Sequence, residues 1–584
     1  MAASAQPATE NMDAERQAPR RGESWWKIHL FRGMINDVRR RAPHYLSDWI
    51  DAWDYRVVPA TIYMYFANIL PALAFSLDMF QNTGTEYGVN EVLLASVLGA
   101  VVFSLFSAQP LVIVGVTGPI TVFNYTVYDI MNPTGVNYIG FMCWIGIWAL
   151  ILHWILAITN SCNWLRWVTR FPCDIFGFYV AFIYLQKGVQ VLERLGSSSS
   201  FYLSIVVALL VFMCAYICGI IGGSFLFKHW IRVFIKDYGT PLTLIFFTGF
   251  VHIGRMRGVD LEVLPTSTSF MPTNDNRNWL VKFWELSVGD IFLALPFAVL
   301  LTVLFWFDHN VSSLIAQGSE FPLRKPAGFH WDLFLLGLTT GVAGILGLPR
   351  PSTPTLCVTK PVKELNEKGE DKGGYTFEAT HVVEQRVSNL AQGLLTLGTM
   401  SGPLLVVLHL IPQGVLAGLF FVMGIQALAG NGITDKLLFL CRDQHLTPSN
   451  HPLKAIKRRS AIWIFVGIEI VGFAATFAIT QTVAAVGFPV FIFALIPIRA
   501  LLLPKILSQD ELGVLDAPTA SPFTMEGIGG SWGGRESEET TEVEEENEGI
   551  MAGASGEGAH GATTTGTVLG DNIEKRSVGS TRAG

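Results

Sequence analysis

The sequence predicts an all-α polytopic membrane protein of fourteen passages, seven in each half of the chain. Three observations carry that prediction. Of 584 residues, 51% are hydrophobic and 15% charged, whereas soluble domains carry about 25% charged residues. Apolar runs recur at lengths suited to a bilayer, which takes about 20 helical residues to cross. Finally, two apolar segments, each third in its half, are broken by glycine and proline at matching places. One reads Gln109-Pro-Leu-Val-Ile-Val-Gly-Val-Thr-Gly-Pro-Ile-Thr-Val-Phe123, the other Gly344-Ile-Leu-Gly-Leu-Pro-Arg-Pro-Ser-Thr-Pro-Thr-Leu-Cys-Val358. A helix break at membrane depth is costly unless the freed backbone groups line a cavity. Paired breaks in two halves mark a secondary transporter's substrate site.

In chain order the passages are 57–77, 90–108, 110–130, 137–159, 174–191, 202–221 and 239–252, then 288–307, 332–346, 352–362, 387–410, 412–429, 460–480 and 483–503. This organises the chain into an N-terminal tail (1–36), a first membrane half (37–252), an external loop (253–287), a second half (288–505) and a C-terminal tail (506–584). Basic residues orient it. Arg39, Arg40 and Arg41 precede the first passage, and Arg166, Arg170, Lys228, Arg232, Lys236, Arg324, Lys325, Lys454, Lys457, Arg458 and Arg459 fall on the same side. The connections at 78–89 and 131–136 carry no Lys or Arg. Both termini are therefore expected in the cytosol. The loop 253–287 is basic too, but it also holds Asp260, Glu262, Asp275 and Glu285, and long loops weigh less.

The net charge of −7 reflects acidic tails and carries no nucleic-acid signal. The run from Glu536 to Glu548, followed by a Gly/Ala/Thr-rich stretch, predicts a disordered tail. A charged connector at 363–386 carries Gly373-Gly374. Seven cysteines scatter without disulfide or zinc spacing and read as small buried apolar residues. The first 24 residues lack the apolar core of a signal peptide. No metal-ligand cluster, nucleophile elbow or phosphate loop stands out, so neither an enzyme nor a cofactor is expected. Asn124 and Asn310 match the glycosylation pattern, but neither falls in an external loop.

The broken segments supply the candidate site. A helix beginning near Thr117, and another beginning near Ser352, would each turn unpaired N–H groups and roughly half a positive charge toward a cavity. Two such termini suit a monovalent anion. Gly118 permits close backbone approach, and Pro119 fits the first helical turn, where its missing N–H costs nothing. Thr117, Ser352, Thr353 and Thr355 add hydroxyls. Asp308 ends the apolar run Leu301-Thr-Val-Leu-Phe-Trp-Phe307. An acid there is a functional candidate, about 2.5–3.5 kcal/mol being the cost at the bilayer centre; the alternative is an interfacial acid in water. Asn68 is polar among Phe66, Ile69 and Leu70, suited either to the site or to a helix-to-helix hydrogen bond. Gln109 either lines the entrance to the site or satisfies freed backbone.

Further strings carry a resemblance to a family. They are Asp37-Val-Arg-Arg-Arg-Ala-Pro-His-Tyr-Leu-Ser-Asp48, Tyr65-Phe-Ala, Ala108-Gln-Pro-Leu-Val-Ile-Val-Gly-Val-Thr-Gly-Pro119, Gly328-Phe-His-Trp-Asp332, Gly347-Leu-Pro349 and Pro497-Ile-Arg-Ala-Leu-Leu-Leu-Pro504. From about Asp37 to Leu515 the chain resembles the anion-exchanger and bicarbonate-transporter family, which includes band three and the boron exporters. The resemblance implies two inverted seven-span repeats divided into core and gate, with substrate between the third and tenth segments. It also implies a homodimer, elevator-like movement and an acid at Asp308. The short stretch before the first passage, Phe123-Asn124-Tyr125-Thr126 in place of paired acids, and Cys357 near a site that in chloride exchangers often holds arginine resemble the fungal boron exporters. The expected function is borate export at the plasma membrane. The rivals are a bicarbonate, chloride or nucleobase carrier, the vacuolar membrane as location, and a membrane scaffold that uses the acidic tail.

Overall fold

The structure, a computed structural model, describes residues 30–517 except 56, 197–198, 225, 275, 318–322, 357–361, 367–374, 380–381 and 444–451. Two short helices, α1 (Arg32–Arg41) and α2 (Tyr45–Ile50), precede the first apolar run. The first half continues α3 (Val57–Asn82), α4 (Val89–Phe106), β1 (Val112–Gly115), α5 (Gly118–Met131), α6 (Tyr138–Ile158), α7 (Arg170–Arg194), α8 (Ser199–Gly223) and α9 (His229–Phe250). The second half has α10 (Val288–Ala316), α11 (His330–Ile345), β2 (Ser352–Leu356), β3 (Val362–Asn366), β4 (Tyr375–Ala379), α12 (Val387–Thr399) and α13 (Gly402–His409). It ends with α14 (Gln413–Ala429), α15 (Gly432–Cys441), α16 (Arg459–Thr480), α17 (Phe488–Ile506) and α18 (Gln509–Leu515).

Among the described residues, eight helices are long and apolar enough to cross a membrane, or up to ten if each of two bent pairs is one span. The bends are 80° between α12 and α13 and 68° between α14 and α15. Each has a local cause. Pro403 opens α13, where it cannot donate back to the preceding turn. Asn431 starts α15 afresh by accepting the Ile433 N–H at 2.9 Å. Helix packing relies on small residues. A Cβ on Gly341 would lie 2.3 Å from Leu150 Cδ1, and one on Gly337 2.7 Å from His153 Cβ. A stripe at that spacing lets α11 lie close against α6. Leu209, Met213 and Ile220 of α8 are exposed, as on a lipid-facing helix.

The structure corrects three expectations. Where a helix is expected to begin near Ser352, Ser352–Leu356 is a strand paired antiparallel with β1. Thr353 and Thr355 thus belong to an extended segment rather than a helical first turn, since Pro351 and Pro354 deny the donors a helix needs. The passage expected to end at Phe307 runs on as helix to Ala316, which puts Asp308 inside α10. The tail expected to be unstructured from 506 begins with α18, fixed by a capping box between Ser508 and Glu511. The connector holds β3 and β4, paired antiparallel. Cys357, residues 1–29 and the acidic run lie outside the described residues.

Candidate functional site

The site grows from the β1–α5 junction. Val112-Ile-Val is β-branched, and Pro110 with Gly115 denies it a helix, so it extends and pairs with β2. Gly115 stands opposite Ser352 and Ile113 opposite Thr355. Thr117 is still extended, at φ −115° and ψ 164°, and α5 starts at the next residue. The first N–H groups of α5 therefore emerge beside the strand pair. The Thr117 Oγ1 is buried and has no hydrogen-bond partner among the described residues.

Gly118 is closely walled. A Cβ there would meet Tyr184 Cε1 at 3.1 Å and Phe75 Cζ at 3.5 Å. These two rings, from α7 and α3, lie 5.6 Å apart between centroids, and Phe420 of α14 packs on Phe75 at 5.5 Å. Asp308 is 6% exposed and its charge bears on the Tyr184 phenol. Its helix α10 packs against β2. The junction thus gathers a helix N-terminus, an unsatisfied hydroxyl, aromatic walls and a buried carboxylate.

Asn68 and Gln109 serve the frame around this junction. The Asn68 Nδ2 donates to Gln392 Oε1 at 3.0 Å, Gln392 donates to Asn389 Oδ1 at 3.2 Å, and Asn389 donates to the Val112 carbonyl at 3.1 Å. The Asn68 amide oxygen also lies 2.7 Å from where a Gly115 Cβ would stand. Asn68 thus makes the helix-to-helix bond and borders β1 as well. Gln109 gives its N–H to Asp332 at 3.0 Å and accepts the Leu111 N–H at 3.4 Å, so it satisfies freed backbone.

A cavity of about 480 Å³ opens at the C-terminal ends of α3 and α7, lined by Asn82, Tyr125, Asp129, Lys187, Gln190, Glu193 and Arg194. Tyr125 stands two turns along α5 from Gly118, ~10 Å away by helical rise, and Lys187 stands one turn along α7 from Tyr184. Lys187 lies 2.9 Å from Asp78 and 4.3 Å from the centre of the Tyr125 ring. The cavity therefore follows the same helix faces as the site walls.

Sequence reading did not single out Phe75, Tyr184, Asn389 or Gln392, and it met Asp332 only as part of a family string, with no role assigned. Asn389 and Gln392 carried a signal, since polar amides three apart in an apolar helix share one face. Phe75 and Tyr184 carried none among 40 Phe and 14 Tyr.

Comparison with known proteins places the chain. Residues 29–201 and 194–520 match the HCO3- transporter integral membrane domain. A protein named only as a transporter in Schizosaccharomyces pombe is 53% identical over 83% of this chain and 95% of its own. Boron transporter 1 of Saccharomyces cerevisiae is 43% identical over 85% of this chain and 87% of its own. Human band 3 anion transport protein is 28% identical over 84% of this chain, which spans 56% of band 3. The anion-exchanger resemblance read from the short strings thus holds along the membrane part, and the chain belongs to the bicarbonate-transporter family, the membrane transporters that include band 3.

Proposed function

We propose that the protein exports borate across the plasma membrane, and that the β1–β2–α5 junction with Asp308 is where borate binds. The observation that carries this reading is the 43% identity to a yeast boron transporter over 85% of the chain. Boric acid enters cells uncharged, and a small part ionises to the tetrahydroxyborate anion. One helix N-terminus offers about half a positive charge, so the field at the site is weaker than two facing termini would give. Four B–OH groups offset that weakness, because they donate to a carboxylate such as Asp308 while accepting from Thr117 and the α5 N–H groups. Chloride has no donor to offer Asp308.

In this reading the chain has fourteen passages as two inverted repeats, both termini in the cytosol, and acts as a homodimer. The parts bearing α5 and α10 slide against the remainder so that the site faces each side in turn. Bicarbonate or chloride exchange is the second reading, favoured by the match to band 3. The test is intracellular boron in cells without their own exporter under a boric acid load. Lower boron with the protein is expected. Unchanged boron with the protein at the surface overturns borate export. Deleting 518–584 should leave efflux intact, whereas a scaffold would lose its function.

A further inference from the structure

Between α11 and β2 the chain buries an arginine. Gly347, at φ 61°, ends α11, and Leu348 returns its N–H to the Ala343 carbonyl at 2.8 Å. Pro349 and Pro351 flank Arg350, and a residue before proline is held extended. Arg350 is 1% exposed. Its Nη2 donates to the Met142 carbonyl of α6. Its Nε and Nη1 have no hydrogen-bond partner among the described residues. A Cβ on Gly146 of α6 would lie 3.5 Å from the Nε, so the guanidinium lies along a glycine face of that helix.

This charge has no counter-charge. The ionisable side chains that bear on it are Tyr87, Tyr138 and Cys143, two phenols and a thiol that are neutral at pH 7. The two acids that flank Tyr87 in sequence are engaged elsewhere. Glu91 pairs with Arg277 at 2.7 Å and accepts the Thr273 N–H at 2.6 Å. Glu86 accepts the Asn274 Nδ2 at 3.1 Å. A guanidinium stays protonated in a protein, and burying it without a partner is costly.

The groups around it are donors. The Met142 carbonyl is taken by Arg350 itself. Tyr138 gives its O–H to the Asn124 carbonyl at 2.9 Å, and its ring lies 5.9 Å from that of Tyr87. Tyr87 has an O–H to give, and Arg350 has the N–H groups of Nε and Nη1. Donors without acceptors suit a ligand that only accepts. A halide is such a ligand. Tetrahydroxyborate is a poorer match, because its B–OH groups also need an acceptor.

We propose that Arg350 and Tyr87 hold a small monovalent anion, chloride in ordinary media, as a resident ion rather than as cargo. Arg350 lies two residues before Ser352, which stands opposite Gly115 in the strand pair. The ion therefore braces the segment that enters β2, and with it one side of the β1–α5 junction. This site is separate from Asp308 and does not depend on which anion the protein carries.

The test is the melting temperature of the purified full chain in detergent without boron. Chloride replaces gluconate from about 1 to about 300 mM at constant ionic strength and pH. Wild type should gain stability along a one-site saturation curve. Arg350→Gln should lose that gain. Tyr87→Phe should need about five- to tenfold more chloride for half of it, the loss of one hydrogen bond. Thr117→Val, at the junction, should follow wild type. A flat wild-type curve overturns the proposal, and so does a gain that survives Arg350→Gln. A shift in Thr117→Val with none in Tyr87→Phe puts the ion at the transport junction and also overturns it. If Arg350→Gln does not elute as a folded species, Tyr87→Phe decides alone, and an unchanged half-saturation overturns the site.

Discussion

Asp332 accepts the Ala108 N–H at 2.6 Å with one carboxylate oxygen and the Gln109 N–H at 3.0 Å with the other. The N-terminal turn of α11 thereby holds the backbone that leads into β1, and with it the start of α5. Asp332→Ala leaves two buried N–H groups unpaired, at about 1–3 kcal/mol each. The expected outcome is a lower melting temperature in detergent and less protein at the surface. Asp332→Asn keeps an acceptor and should lose about half as much.

Thr117 separates substrate binding from stability. Its hydroxyl has no hydrogen-bond partner among the described residues, so Thr117→Val should leave expression and melting unchanged. If the hydroxyl meets the anion, the boron concentration for half-maximal efflux rises about five- to tenfold, the loss of one hydrogen bond. An unchanged value would remove Thr117 from the site.

Gly118 tests the walls. A methyl group there would stand 3.1 Å from Tyr184, tighter than ordinary contact, and overpacking of this kind costs about 1–3 kcal/mol. Gly118→Ala should slow efflux at least several-fold with the protein still at the surface, and Gly118→Val should abolish it.

Asn68 should behave oppositely to Thr117. Asn68→Ala breaks the relay through Gln392 and Asn389 to the Val112 carbonyl. Melting should fall by an amount that corresponds to about 1–3 kcal/mol, while half-saturation of the protein that survives stays near wild type. A large rise in half-saturation with normal melting would put Asn68 at the substrate.

A pH effect on stability follows from Asp37 of α1. Its Oδ2 accepts the N–H groups of Phe329, His330 and Trp331 at 3.0, 2.7 and 3.1 Å. Burial nonetheless pushes its carboxyl from 3.8 up to about 7, outweighing those bonds, with Asp332 nearby adding to the rise. The folded chain then binds this proton more tightly than the unfolded chain. Stability from this group is complete below about pH 4 and is lost as pH rises toward 7. The melting temperature of Asp37→Asn relative to wild type should therefore climb between pH 4 and 7 and level off above.

The sequence made the helical part legible, because long apolar runs leave a chain few other choices in lipid. It also placed the first break, where Gly118-Pro119 opens α5 directly after Thr117. It misjudged the second, because Gly and Pro mark where a helix fails without saying what replaces it. Ser352–Leu356 took strand from its pairing with β1, a partner 240 residues away that local pattern does not reveal. The end of α10 was set too early for a related reason. An acid looks like a boundary in a hydropathy scan, yet Asp308 is buried by tertiary packing and the helix continues past it. Asn68 and Gln109 were ambiguous until Gln392 and Asp332 were seen beside them.

The most direct test of borate export is the initial rate of boron efflux from cells preloaded with boric acid, at matched surface levels of wild type and Asp308→Ala. Wild type should empty cells faster than the vector control, and Asp308→Ala should match that control. A wild-type rate equal to the vector control, with the protein at the surface, would contradict borate export.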